Sequence, residues 1–193
     1  RVADAIATCQ GHEVARVTGL FLVEGDEPPG RIWQPRSSPW PDPQAVPTDN
    51  GDTGAAEDDG WLFRTVEGGM GTGERSRVWT NDTLTLVDDE PLSPLVRAAV
   101  SGDIACPLAN SGTEGIHYIN ADYTMFLARY PVGPWVGLEV VQQIAADGIA
   151  VASATLVDQQ GPFATSTGAS ISRPPLTDDG PPTTNEASKG LNR

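Results

Sequence analysis

The residues able to do chemistry are few, and most lie between positions 103 and 170. Asp103 stands near the end of a helix-like stretch, where a carboxylate either accepts a proton or merely caps and solvates the helix. Cys106 follows it, with no histidine near in sequence and Pro107 next, so a packed small hydrophobe is expected rather than a thiol nucleophile. His117 is the one histidine between 61 and 176. Paired with an acid it could serve in proton transfer, yet no partner stands at a fitting spacing, and a structural or exposed role is expected. Asn120, Asp122 and Thr124 alternate along a strand-like run and so share a face, either a wet outer face or a pocket wall. Gln142, Gln143, Gln159 and Gln160 fall in a strand and a turn, with nothing to mark them as catalytic. No Cys, His and Asp cluster has metal spacing, so neither metal nor cofactor is expected.

The glycine cluster Gly68-Gly69-Met70-Gly71-Thr72-Gly73 invites comparison with a phosphate loop. No lysine follows and no helix opens there, so a flexible connection between strands is the better reading. The elements that must position the candidates can be read from pattern. Ser93-Pro94-Leu95 begins a helix over 94–106, with Ser as N-cap and Pro at the first helical position. Its small residues Ala98, Ala99, Ser101, Gly102 and Ala105 make it thin enough for a sheet to wrap closely, and Pro107 with Asn110-Ser111-Gly112 closes it. Strands are expected over 61–67, from Arg77 onward, and over 116–129, 135–145, 149–157 and 162–173, joined by hairpin-length turns holding Gly or Pro. Earlier in the chain, 2–9 and 13–23 form a hairpin about Gln10-Gly11-His12. A lone hairpin is marginal. Its apolar Val14, Val17, Leu20 and Leu22 are therefore expected to be covered by the main sheet or another chain.

Between these regions Pro28-Pro29-Gly30, Pro35, Pro39, Pro41, Pro43 and Pro47 forbid regular structure, and residues 49–59 are acidic and small. Trp33 and Trp40 in that stretch are either exposed or pinned to a neighbouring surface. The chain holds 12 basic against 26 acidic residues, a formal charge of −14. Such a surface repels phosphate backbones and anionic lipid, so nucleic acid and membrane surfaces are poor partners. No apolar run reaches the length of about 20 residues that a membrane span needs. Two cysteines, Cys9 and Cys106, are expected to be free thiols in a cytoplasmic protein.

Pro91-Leu92-Ser93-Pro94-Leu95 to Asp103, Tyr118-Ile119-Asn120-Ala121-Asp122-Tyr123-Thr124, Gly133-Pro134-Trp135-Val136-Gly137-Leu138 and the strand ending Arg173-Pro174 together resemble the C-terminal hotdog of double-hotdog, thioesterase II-like acyl-CoA thioesterases. The hairpin at 2–23 is similar to the last two strands of that family's N-terminal hotdog. The resemblance implies an α+β hotdog, a long antiparallel sheet wrapped around a central helix. It divides the chain into 1–25, the closing strands of a hotdog whose beginning is missing; 26–60, a Pro- and acid-rich linker; 61–176, the C-terminal hotdog; and 177–193, a disordered tail.

In such a site an acid, a hydroxyl residue and a glutamine hold a water against a thioester. Carried over singly, Asp103 falls at the acidic position and Asn120 at the hydroxyl position. Counting back from Arg173 puts Gly168 where the glutamine would stand, with Ser166 and Ser170 on the same face of the strand as substituting candidates. The implied activity is hydrolysis of fatty acyl-CoA thioesters, a part of lipid metabolism. The alternatives are a catalytically degenerate acyl-CoA-binding or structural hotdog, and a dehydratase. The expected partners are acyl-CoA and either a second copy of the chain or the missing hotdog half.

Overall fold

The computed structural model describes residues 1–26, 29–35, 38–49, 60–83 and 86–173. Two compact units divide between Ser38 and Pro39. The stretch 50–59 and the tail 177–193, read above as linker and disorder, lie outside the described residues.

In the first unit β1 (Val2–Cys9) pairs antiparallel with β2 (His12–Leu20) as a sheet of its own. Gln10 and Gly11 both take positive φ, 49° and 81°, as a two-residue hairpin turn requires. The period of two gives the ribbon unlike faces. One sets Ala3, Ala5 and Ala7 opposite Gly19, Val17 and Ala15; the other sets Val2, Asp4 and Ile6 opposite Leu20, Thr18 and Arg16. The expected cover is not supplied within the described chain. Val14, Val17, Leu20 and Leu22 are 62%, 65%, 68% and 82% exposed. The second strand also stops at Leu20, short of the expected Val23.

The second unit is one six-stranded antiparallel sheet with a helix on it. Its strands are β3 (Trp61–Glu67), β4 (Arg77–Asp82), β7 (Tyr118–Leu127), β8 (Val136–Ala146), β9 (Ile149–Asp158) and β10 (Gly161–Ser172), in the order β3-β4-β8-β9-β10-β7. A two-residue ribbon, β5 (Ser111–Gly112) with β6 (Gly115–Ile116), lies between the helix and β7. The helix α1 (Pro94–Ala109) packs against β7, β8, β9 and β10. This is the hotdog architecture that the sequence leads one to expect.

Helix α1 starts as expected, with the Ser93 hydroxyl accepting the Val96 N–H at 3.2 Å. Its far end is a correction. Pro107 lies inside the helix, which runs on to Ala109. Ala98, Ser101, Gly102, Ala105 and Cys106 face the sheet and are buried, against Ala150, Ala152 and Ala154 of β9 and Ala164, Ser166 and Ser170 of β10. Small on small lets the backbones approach: a Cβ on Gly102 would lie 3.1 Å from Met125 Sδ and 3.3 Å from the Tyr123 ring. Beside this seam Val78, Leu108, Val136, Leu138, Val140, Leu156 and Phe163 supply the larger apolar volume.

The linker expected over 26–60 is corrected for residues 39–49, which bind the sheet's other face. A 3-10 helix, Pro43–Ala45, is fixed by Arg64, whose Nη1 donates to the carbonyls of Pro43 (2.6 Å) and Val46 (2.8 Å). Trp79 Nε1 donates to the Pro41 carbonyl at 3.1 Å, and Asp49 accepts the Thr65 hydroxyl at 2.6 Å. Trp40 stands edge-on to Trp79 with centroids 4.7 Å apart, and Arg77 lies over the Trp40 ring at 4.5 Å. Gly137 makes room: a Cβ there would sit 2.5 Å from Val157 Cγ2 and 2.8 Å from the Trp40 ring. Trp40 is thus pinned, whereas Trp33 is 83% exposed.

The meander is locked at one end by Asp158. Its side chain is fully buried and accepts from Arg129 Nη1 (2.5 Å) and Nη2 (2.7 Å), from Val132 N–H (2.8 Å) and from Gln160 N–H (2.8 Å). Burial by itself would raise this carboxyl, but the Arg129 guanidinium and the two backbone donors outweigh it and hold it below its ordinary value of 3.8. A depressed carboxyl contributes its stability in full above the ordinary value and loses it as pH falls through the lower folded-state value. Asp158→Asn is therefore expected to cost about 3 kcal/mol at neutral pH and much less in strong acid, so urea midpoints of variant and parent should converge as pH drops below 3.8. Trp40→Ala is expected to cost about 3 kcal/mol in the same assay, without changing the site described next.

Candidate functional site

Asp103 projects from the exposed side of α1, and Asn120 lies on β7 facing it. Asn120 Nδ2 donates to Asp103 Oδ1 at 3.2 Å and reaches the Asp103 carbonyl at 3.5 Å. That carbonyl is available because the residue four places on is Pro107, which has no N–H to offer it. The proline read as a helix stop instead leaves an acceptor where the β7 amide arrives.

The expected common face of Asn120, Asp122 and Thr124 breaks at a β-bulge. Ala169 pairs with Asp122 but Ser170 pairs with Asn120, which leaves Ala121 as the extra residue. Asn120 and Tyr123 therefore both turn toward the helix, with the Tyr123 hydroxyl donating to the Ala99 carbonyl at 3.0 Å. Asp122 is directed away and accepts the Ala169 N–H at 3.2 Å. Asn120 belongs to the inner wall, while Asp122 and Thr124 belong to the outer face.

Ser166, Gly168 and Ser170 do share the inner face of β10, with different fates. Ser166 is buried and its hydroxyl donates to the Gly102 carbonyl at 2.9 Å. Ser170 is wholly buried and its hydroxyl donates to Asn120 Oδ1 at 3.3 Å, so it joins the Asp103–Asn120 pair. Gly168 lies against the helix. A Cβ there would stand 2.4 Å from Cys106 Sγ and 2.7 Å from the Asp122 carbonyl oxygen, so no glutamine fits at this position.

Two participants escape sequence reasoning. Asn110 Nδ2 donates to Ser170 Oγ at 3.3 Å, and Gln143 Nε2 donates to Asn110 Oδ1 at 3.3 Å. A bulge between Val140 and Gln142 turns Gln143 inward, and no periodic signal in the sequence announces it. Asn110 and Gln143 also line a cleft of about 440 Å³, with Arg75, Leu108, Tyr118 and Val140.

Burial pushes the Cys106 thiol up; contact with Ser170 acts the other way, and the charges of Asp103 and Asp122 add to the rise. Burial, then Asp103, likewise raises the Tyr123 hydroxyl. Both stay protonated at neutral pH, so neither is a ready nucleophile. His117 Nε2 meets the Glu114 carbonyl at 2.9 Å rather than a carboxylate. Among the described residues no group of His, Cys, Asp and Glu could hold a metal ion, and no helix is long and apolar enough to cross a membrane. What remains is an exposed carboxylate oriented by an amide that cannot neutralise it, an arrangement able to take a proton from water.

Residues 32–171 match the family model of the acyl-CoA thioesterase C-terminal domain. No curated protein matches the chain. Among solved structures it is similar to a conserved protein of unknown function with a hot dog fold from Alicyclobacillus acidocaldarius, with 14% identity and a TM-score of 0.66 over 91% of this chain and 68% of that one. It is also similar to an acyl-CoA thioesterase II from Mycobacterium marinum, with 19% identity and a TM-score of 0.54 over 77% of this chain and 60% of that one. The tesB protein of Mycobacterium avium subsp. paratuberculosis gives 18% identity and a TM-score of 0.50, over 74% and 57%. At these identities the likeness is one of fold. The chain spans less than two thirds of either mycobacterial protein.

The crowding at Gly168 is directly testable. Gly168→Ala is expected to destabilise the fold by about 2 kcal/mol in urea denaturation. Adding Cys106→Ala should recover part of that loss but not all, since the Asp122 carbonyl stays in the way.

Proposed function

Since the chain belongs to the acyl-CoA thioesterase C-terminal domain family, we propose that it hydrolyses fatty acyl-CoA thioesters at Asp103 and Asn120. The observation that carries this reading is the hydrogen bond between them, joined by Ser170 from the last strand. The Asp103 carboxylate takes a proton from a water as that water attacks the thioester carbonyl carbon. Collapse of the tetrahedral adduct breaks the carbon–sulfur bond, and the proton passes from Asp103 to the departing thiolate. The products are a fatty acid and free CoA. Asn120 fixes the carboxylate without neutralising it, so that the base stays available.

The substrate class suits a cytoplasmic protein of lipid metabolism. The partner in this reading is a second hotdog. β7 ends the sheet, and its open edge suits pairing with another strand. The hairpin β1–β2 supports the same architecture. Its Ala3, Ala5 and Ala7 face resembles the Ala150, Ala152 and Ala154 face by which β9 meets its helix, as expected of strands that close another hotdog.

The alternative is a degenerate, acyl-CoA-binding or structural hotdog. It is favoured by Gly168, where no further amide fits. Release of free thiol from acyl-CoAs of several chain lengths, measured beside binding of the same ligands, separates the two. Hydrolysis should fall by at least about 100-fold in Asp103→Asn and by about 10-fold or more in Asn120→Ala, with binding held within a few-fold. Binding without thiol release would favour the degenerate reading. Loss of water from a 3-hydroxyacyl thioester would favour a dehydratase.

A further inference from the structure

We propose that Gln143 and Asn110 are positioning residues for Asp103, acting through Ser170 and Asn120. The proposal rests on Asp103 as the proton acceptor named above. Four hydrogen bonds run in series from the cleft to the carboxylate: Gln143 to Asn110 (3.3 Å), Asn110 to Ser170 (3.3 Å), Ser170 to Asn120 (3.3 Å) and Asn120 to Asp103 (3.2 Å). The series joins β8, the C-cap of α1, β10 and β7, elements far apart in sequence.

Its direction follows from donor and acceptor counts. An ionised carboxylate only accepts, so Asn120 must turn Nδ2 to Asp103 and Oδ1 to Ser170. Ser170 has a single hydroxyl proton, and an amide oxygen facing it demands that proton. Asn110 must then present Nδ2 to Ser170, which leaves its own Oδ1 facing Gln143. Cys106 Sγ is a second acceptor for the Ser170 hydroxyl, but at 3.8 Å it is a weaker one than Asn120 Oδ1 at 3.3 Å, so the sense stands. The middle members are withdrawn from water, Ser170 fully and Asn110 nearly so, at 7% exposure. Water therefore does not readily replace a lost member, and the amides and hydroxyl polarise one another toward Asp103. Gln143, exposed at the mouth of the cleft, can be changed without disturbing the packed core or the carboxylate itself.

The test reverses or preserves the sense at Gln143 in the full chain. Gln143→Glu offers only an acceptor, so Asn110 must flip and draw the Ser170 proton away from Asn120. Gln143→Lys offers only donors and keeps the sense. Gln143→Leu removes the end of the chain. At high ionic strength, which screens the added charges, kcat is expected to fall about 3- to 10-fold in Gln143→Leu and further in Gln143→Glu, with KM within about twofold. Gln143→Lys should stay near the parent. The side-chain NH2 resonances of Asn120 should move in Gln143→Glu and hold in Gln143→Lys, a readout that needs no hydrolysis. Unmoved Asn120 resonances in Gln143→Glu overturn the proposal whatever the activity. So does an unchanged kcat in Gln143→Glu while Asp103→Asn abolishes hydrolysis. Hydrolysis that survives Asp103→Asn overturns the functional reading instead.

Discussion

The structure depends on how closely α1 approaches the sheet. Side chains are small on both sides of the seam: Ala98, Ser101, Gly102, Ala105 and Cys106 on the helix, Ala150, Ala152, Ala154, Ala164, Ser166 and Gly168 on the strands. Each contributes little apolar area, on the order of one methyl group, so the gain comes from many short dispersion contacts. The same closeness brings short polar side chains within bonding range. Ser166 reaches the helix backbone at Gly102, and Asn120 reaches Asp103, because no bulk holds the elements apart. A helix carrying leucines along this seam would stand farther off, and none of these bonds would form.

Two irregularities then decide which polar groups enter the seam. Plain alternation along β7 would place Asn120 and Tyr123 on opposite faces, and along β8 it would separate Val140 from Gln143. The bulges at Ala121 and Val141 reverse the count, so Asn120 and Gln143 both turn inward while their apolar neighbours keep their places. Pro107 is a third irregularity, taking a hydrogen bond from the helix just where Asn120 offers one from outside. The polar series is thus assembled from local departures from regular structure, each small and each repaired by another element.

That division explains what was legible in the sequence. The start of α1 at Ser93-Pro94, its thinness, the meander turns and the order of strands all follow from local composition, and the structure has them. The shared inner face of Ser166, Gly168 and Ser170 was legible because β10 keeps its period through those residues. The face of Asp122 was not, since a bulge is set by the pairing of two strands and leaves no mark in either alone. Pro107 misled because the alternative donor for Asp103 comes from 13 residues beyond it, at Asn120. Residues 39–49 read as linker from their prolines, yet prolines that forbid regular structure do not forbid packing. Arg64 and Trp79 supply the hydrogen bonds that hold this segment.

Trp40, Trp79 and Trp135 are gathered on the outer face of the sheet, with Arg64 and Arg77 against their rings, whereas Asp103 and Asn120 belong to the opposite, helix-covered face. Three of the five tryptophans of the chain consequently share one optical address. Quenching or a red shift of the cluster's emission reports the lifting of residues 39–46 from the sheet, while occupation of the helix side leaves the same indoles in an unaltered environment. Emission from these three indoles is a gauge of the cladding, whereas Trp61, stacked on Phe63, alternates onto the other face of β3.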